Sequence, residues 1–265
     1  MQTLDLFNRG KLGEAIASAT ADVKSQPSNA DLRALLADLL CFSAEYERAD
    51  KHLEAITTLE PGAATVVSLT RQLVRAETWR QDFYVEGRTP EFLTAPSDTV
   101  KLQLRASIAM REGAKDEAAK LLAEVEETRK PVACTVGDQA YEDLRDCDDL
   151  VAGVFEIFTS TGKYYWVPLE SVREIEPRPM ERPRDLLWRR VRLEVEDGPE
   201  GEVYMPALYA PMPADANEET RLGRVTEFSE TEPVRGRGRR QFLLGDDAIG
   251  VNDLPFLRFP ATTES

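Results

Sequence analysis

Two hydrophobic rhythms divide the chain. In residues 1–131 apolar side chains recur every three to four positions, the spacing of one helix face; beyond Val132 they alternate every second position, the spacing of a half-buried strand. The first rhythm repeats. Shifted by 34 residues, Gly10 falls on Ala44, Leu12 on Tyr46, Ala15 on Ala49 and Pro27 on Pro61. Each match has a physical reading in a helical hairpin. Gly10 or Ala44 makes the turn, Ala15 or Ala49 lets the second helix approach the first, and Pro27 or Pro61 stops that second helix. Leu4, Leu6 and Phe7 supply a short first stripe. A third unit begins near Thr99. It has Leu102, Ala106 and Ala109 on one helix, Gly113 at the turn, Ala118 as the small contact, Leu121, Leu122 and Val125 on the second face, and Pro131 at the end. Between them Val66, Val67, Leu69, Leu73 and Val74 keep helical spacing. No glycine follows near Thr78, and Phe83 stands where a small residue belongs. This stretch predicts one long helix over 63–85, a loop at 87–90 and a short helical turn at 90–93.

The second rhythm predicts strands at 151–158, 164–167, 189–196, 202–205, 221–228 and 239–244, with tight turns at Thr161-Gly162 and Asp197-Gly198. Alternation puts Val191, Leu193 and Val195 toward a core. It puts Tyr164 and Trp166 on one face and Tyr165 on the other. A short helix around 186–188 with Asp185 as its cap interrupts the strands. The proline-rich stretch 177–183 reads as an extended connector, and 210–219 and 260–265 read as flexible. The fold class expected is α+β, an N-terminal helical-repeat domain (1–131) followed by a C-terminal β-rich domain (132–265) built as a small barrel or strongly bent sheet. The helical part resembles tetratricopeptide repeats.

Composition narrows the chemistry. The chain has 265 residues and a net charge of −15, which argues against broad binding to nucleic acid or anionic membranes. The acidity is uneven: 17 Lys and Arg against 21 Asp and Glu in 1–131, but 16 against 27 in 132–265. An acidic half suits solubility or a basic partner. Cys41, Cys134 and Cys147 are too few and too scattered for a disulfide framework. No basic-then-apolar leader or membrane-length apolar run is seen, so the expectation is a soluble cytoplasmic protein.

No catalytic set assembles. His52 is the only histidine and reads as a helix-surface residue. The acidic cluster Glu142, Asp143, Asp146, Asp148 and Asp149 lacks the glycine-punctuated ligand alternation of a calcium loop, and reads as a junction that caps helices or pairs with arginines. The run Arg235-Gly236-Arg237-Gly238-Arg239-Arg240 lacks the helix and Lys-Ser/Thr of a phosphate loop, and reads as a turn into a strand with arginines paired to the domain's own carboxylates. There is no nucleophile elbow. Neither cofactor nor metal is expected. By composition the best binding surface is the aromatic set Tyr164, Tyr165, Trp166, Trp188, Tyr204 and Tyr209, since Tyr and Trp dominate interface hot spots. A core role for the tryptophans competes with that reading.

Several phrases together resemble a known family: Asp143-Leu144 through Asp148-Asp149, Tyr165-Trp166-Val167-Pro168, Arg184-Asp185-Leu186-Leu187-Trp188, Met205-Pro206-Ala207-Leu208-Tyr209, Gly223-Arg224-Val225-Thr226 and Gly236 to Arg240. They are similar to the ImpE/SciE/TagJ family, accessory proteins of bacterial type VI secretion. Glu227-Phe228 departs from the Asp-Trp-like pair expected there. The resemblance implies a cytoplasmic, non-enzymatic adaptor. Its implied partners are the N-terminal helix of the small contractile-sheath subunit and the AAA+ ATPase that disassembles the sheath. Tyr165, Trp166, Trp188, Asp143, Asp146, Asp148 and Asp149 are the candidate partner-binding residues. The competing readings are an enzyme with an interdomain carboxylate/arginine site and a general peptide-binding scaffold.

Overall fold

In a computed structural model, residues 2–260 are described; the rest of the stretch 260–265 lies outside them. Seven helices come first: α1 (Gln2–Asn8), α2 (Leu12–Ser25), α3 (Ala30–Phe42), α4 (Tyr46–Leu59), α5 (Ala64–Val85), α6 (Asp98–Arg111) and α7 (Lys115–Thr128). Three hairpins result, α1/α2, α3/α4 and α6/α7, with α5 standing alone and long between the second and third. Each hairpin turns through a left-handed residue, Gly10 (φ +84°), Ala44 (φ +60°) and Gly113 (φ +78°). Ala44 adopts it without a glycine's freedom, so that turn carries strain. Ala15, Ala49 and Ala118, the small contacts of the three second helices, are all fully buried. Asn29 caps α3 by accepting from Leu32 N–H, and Ser97 caps α6 by accepting from Val100 N–H.

No helical turn forms at 90–93. The Glu91 N–H donates to Tyr164 O at 2.8 Å and Glu91 O accepts from Trp166 N–H at 3.1 Å. The open edge of a strand takes this backbone in place of a local turn.

The strands are β1 (Cys134–Val136), β2 (Gln139–Tyr141), β3 (Leu144–Asp146), β4 (Val154–Phe158), β5 (Tyr164–Pro168), β6 (Val172–Pro177), β7 (Trp188–Val195), β8 (Glu200–Pro206), β9 (Thr226–Phe228), β10 (Gly236–Gly238), β11 (Gln241–Leu244), β12 (Asp247–Gly250) and β13 (Leu257–Arg258). Eight form one antiparallel sheet in the order β2-β1-β13-β6-β7-β8-β4-β5; β12-β11-β3 and β10-β9 form two smaller sheets. Among the described residues β2 and β5 are the ends of the large sheet and do not pair with each other.

Three further local expectations change. The strand expected over 151–158 starts at Val154, after a 3-10 turn at Asp149–Val151. The strand expected over 221–228 is shortened to β9, because a helical turn, α8 (Glu218–Arg221), precedes it. Asn217 starts that turn by accepting from Thr220 N–H. The helix around 186–188 is a 3-10 turn at Pro183–Leu186, and Trp188 already belongs to β7. Asp185 lies inside that turn and reaches back to the N–H groups of Glu181 and Arg182.

The large sheet buries both faces. Phe155, Ile157, Val167, Val191, Leu193, Val195 and Met205 join Phe242 and Leu257 in one core within the strand region. Val154, Phe158, Tyr164, Trp166, Trp188 and Tyr204 point the other way and share a core with Phe83, Tyr84, Leu73 and the rest of the helices. Period-two alternation within β4 and β5 sends neighbouring residues to different cores.

Candidate functional site

The face of the sheet that meets the helices carries charge as well as apolar surface. Glu156, at the centre of β4, is fully buried, and so is Arg80 on α5. Arg80 grips it with two parallel contacts, Nε to Oε1 at 3.0 Å and Nη2 to Oε2 at 2.8 Å. Arg240 adds Nη1 to Glu156 Oε2 at 2.7 Å and pairs through Nε with Asp146. Tyr84 OH donates to Glu156 Oε1 at 3.0 Å, Tyr164 OH donates to the same atom, and Trp166 Nε1 donates to Tyr164 OH at 2.6 Å. Glu77, one helical turn before Arg80, accepts a hydrogen bond from Trp188 Nε1 at 3.0 Å. Asp148 closes the far side. It accepts from Arg235 Nε at 2.8 Å and from Gly236 N–H at 2.9 Å, and its Oδ1 caps the turn at Leu150. Tyr209 OH donates to Asp146 Oδ1 at 3.1 Å.

Burial and pairing set the charge states. Burial opposes ionisation of Glu156, but the guanidinium groups of Arg80 and Arg240 outweigh it and hold the carboxyl at about 2. Burial wins at Asp146, where the neighbouring Asp148 adds to it against Arg240, and the carboxyl is pushed up to about 6. Asp38, on α3, is likewise raised by burial to about 6 although Arg184 lies 3.5 Å away. Burial also lifts the Tyr84 and Tyr164 phenols well above the ordinary range, so both stay protonated donors. Four carboxylates thus face three arginines in a joint between helix and sheet. The hollow beside it, bounded by Glu77, Arg80, Trp188 and Tyr209, measures about 20 Å³, room for about one water.

The candidate residues separate. Trp166, Trp188, Asp146 and Asp148 are buried in the joint and present no surface to a partner; the aromatic face they form is already covered by α5. Asp143 and Asp149 are half-buried and pair outside the joint. Asp143 pairs with Arg129, and Asp149 pairs with Arg145 and accepts from Val234 N–H. Tyr165 stays half-exposed. It borders a shallow apolar hollow of about 240 Å³ with Leu93, Leu193, Val195 and Val203. A larger groove of about 920 Å³ runs between α4 and α5, lined by Tyr46, Val74 and Thr78 with Arg48, Lys51, Glu54 and Arg75 along its walls.

The arginine run serves the fold. Arg235, Arg239 and Arg240 pair with Asp148, Asp253 and Asp146. A Cβ at Gly236 would lie 2.2 Å from the Tyr209 ring. One at Gly238 (φ +80°) would lie 2.1 Å from Val225 O. Both glycines therefore answer to close packing. His52 sits half-buried on α4 near Arg33, its pKa lowered by burial and by that arginine. The joint's principal members, Glu156, Arg80 and Glu77, were not among the candidates. Their signal is a charged residue on the apolar face of its own element: Glu156 in VFEIF, and Arg80 in step with Ala76 and Phe83. Among the described residues no group of three His, Cys, Asp or Glu is arranged to hold a metal, all three cysteines are free, and no helix is long and apolar enough to cross a membrane.

Residues 138–258, which carry seven of the eight strands of the large sheet and most of the joint, match the ImpE protein family. Over these residues the chain is similar to the ImpE family. The ImpE match is extended by a relative from Pseudomonas aeruginosa, a type VI secretion system accessory component called TagJ. It is 28% identical over 259 residues, covering 97% of this chain and 91% of the relative. The crystal structure of the Vibrio parahaemolyticus protein VPA1032 superposes with a TM-score of 0.90 at 27% identity, covering 98% of each chain. The fold shared with that structure therefore runs through the helices as well as the strand region.

Proposed function

We propose that this protein is a non-enzymatic accessory component of type VI secretion, an adaptor working in the bacterial cytoplasm. It binds an amphipathic helix at the N-terminus of the small contractile-sheath subunit and links the sheath to its AAA+ disassembly ATPase. The observation that carries this reading is the near end-to-end match to a TagJ accessory component, helices included. The chemistry of the joint supports it: Glu156 and Asp146 are sealed there and paired with Arg80 and Arg240. What faces solvent is groove and apolar hollow, the kind of surface a helix docks on through side chains one turn apart.

Within this reading Tyr165 is the half-exposed anchor on the apolar hollow, Asp143 and Asp149 offer acidic contacts elsewhere on the strand region, and Trp166, Trp188, Asp146 and Asp148 act from its interior. Titration calorimetry with a peptide of the sheath-subunit helix tests it. Micromolar binding that weakens about tenfold in Tyr165→Ala is expected, the effect of losing one hot-spot aromatic. If neither that peptide nor the ATPase binds at micromolar concentration, the adaptor reading fails. An Arg75→Glu variant separates the sites: a loss there, with Tyr165→Ala unchanged, moves the partner to the groove between α4 and α5.

A further inference from the structure

The ends of the first helices are held from a great distance in sequence. Glu218 Oε1 accepts from Gly13 N–H at 2.6 Å. Gly13 lies in the first turn of α2, where amides have no partner inside the helix. Arg224 Nη2 donates to Phe7 O at 3.1 Å and Asn8 O at 2.7 Å, at the C-terminus of α1. Arg221 Nη1 donates to Ser43 O at 3.0 Å, just past the end of α3. Each charge lies on the helix end whose dipole it complements, the carboxylate on an N-terminus and the guanidiniums on C-termini.

The grip is close. A Cβ at Gly10 would stand 2.8 Å from Glu219 Oε1 and 2.9 Å from Arg224 Nη1, and one at Gly13 would stand 3.2 Å from Glu218 Oε1. The gripping segment is itself anchored. Asn217 caps α8, Thr220 is buried, Leu222 packs against the helical core, and Arg221 also donates to Ala214 O and Ala216 O. The third hairpin provides an internal contrast: nothing lies within 4 Å of a Cβ placed at Gly113, the equivalent turn.

We infer that residues 217–224 are a clamp that fixes the N-terminal hairpin to the strand region by its helix ends. The clamp is a releasable device. Glu218 and Arg224 are exposed and act through hydrogen bonds, whereas the joint at Glu156 is sealed. Opening it frees the turn of α1/α2 while the sheet stays closed on α5.

Hydrogen exchange on the full chain reads this directly. In the double variant Glu218→Ala, Arg224→Ala, amides of 2–25 should exchange about tenfold faster or more, since charged hydrogen bonds guard local opening. Amides of 98–128, in the unclamped hairpin, should stay within about twofold of the parent. Unchanged exchange in 2–25, or an equal acceleration across the chain, overturns the inference. Should the double variant fail to fold, single Arg224→Lys reads the same contrast, with 2–25 again accelerating selectively and an even or absent change again overturning it.

Discussion

The two faces of β4 share five residues of backbone and solve different problems. On one face Phe155 and Ile157 pack into an apolar core made by other strands. On the other, Glu156 sits between Val154 and Phe158 and is met by Arg80, Arg240, Tyr84 and Tyr164. Apolar contact is non-directional and tolerates sliding. A two-pronged arginine–carboxylate contact does not, because both hydrogen bonds are lost together if the helix shifts. The helix-facing side therefore fixes where α5 lies on the sheet, and the strand-facing side supplies burial. Burying these charges is costly in itself, so the joint is evidence for a defined geometry between the halves more than for extra stability.

Breaking the charged face should have the largest effect. Glu156→Ala leaves Arg80 and Arg240 buried without their shared partner, and chemical denaturation should show a loss of about 3–5 kcal/mol. Phe155→Ala on the opposite face should cost a similar amount, about 3–5 kcal/mol, through a cavity. The two differ in their response to acid. Glu156 is held at about 2 in the folded chain against an ordinary 4.5. Its contribution is present above pH 4.5 and is lost as pH falls toward 2. Phe155→Ala should keep that acid slope in thermal melts, and Glu156→Gln should lose it.

Asp38 sharpens the contrast with the opposite sign. Its folded value of about 6 lies above the ordinary 3.8. The folded state therefore holds a proton that the unfolded state has released, and stability from this group is present below pH 3.8 and lost as pH rises through about 6. Asp38→Asn should remove a component of roughly 2–3 kcal/mol from the pH dependence between pH 4 and 7. The smallest effect belongs to the hairpin turns, away from both faces. Ala44→Gly should stabilise by about 0.5–1 kcal/mol by relieving the left-handed backbone, measured as a small rise in Tm.

Much of this comparison is legible along the chain, because alternation and helical spacing are local. Gly10, Ala44 and Gly113 read as turns, Ala15, Ala49 and Ala118 as close contacts, and the opposition of Tyr164 and Trp166 to Tyr165 follows from period two alone. What covers a face is not local. The aromatic face of β5 reads as a hot spot for a partner helix, and it does meet a helix, but that helix is α5 of the same chain. The acidic cluster shows the same limit. Its pairing with arginines follows from composition, while the burial of Asp146 and Asp148 depends on Arg240 and Arg235, about 90 residues away. Alpha-helix α8 is different. Its cap, Asn217 followed by Glu218 and Glu219, is a local signal, masked by reading 221–228 as a strand.

The most direct test of the joint follows unfolding of the parent and of Glu156→Gln by tryptophan fluorescence and far-ultraviolet circular dichroism in the same titration. If the charged face fixes α5 to the sheet, both probes report one coincident transition in the parent, and the variant shifts that whole transition to lower denaturant. Separate helix and strand transitions in the parent, or a variant that unfolds where the parent does, would contradict it.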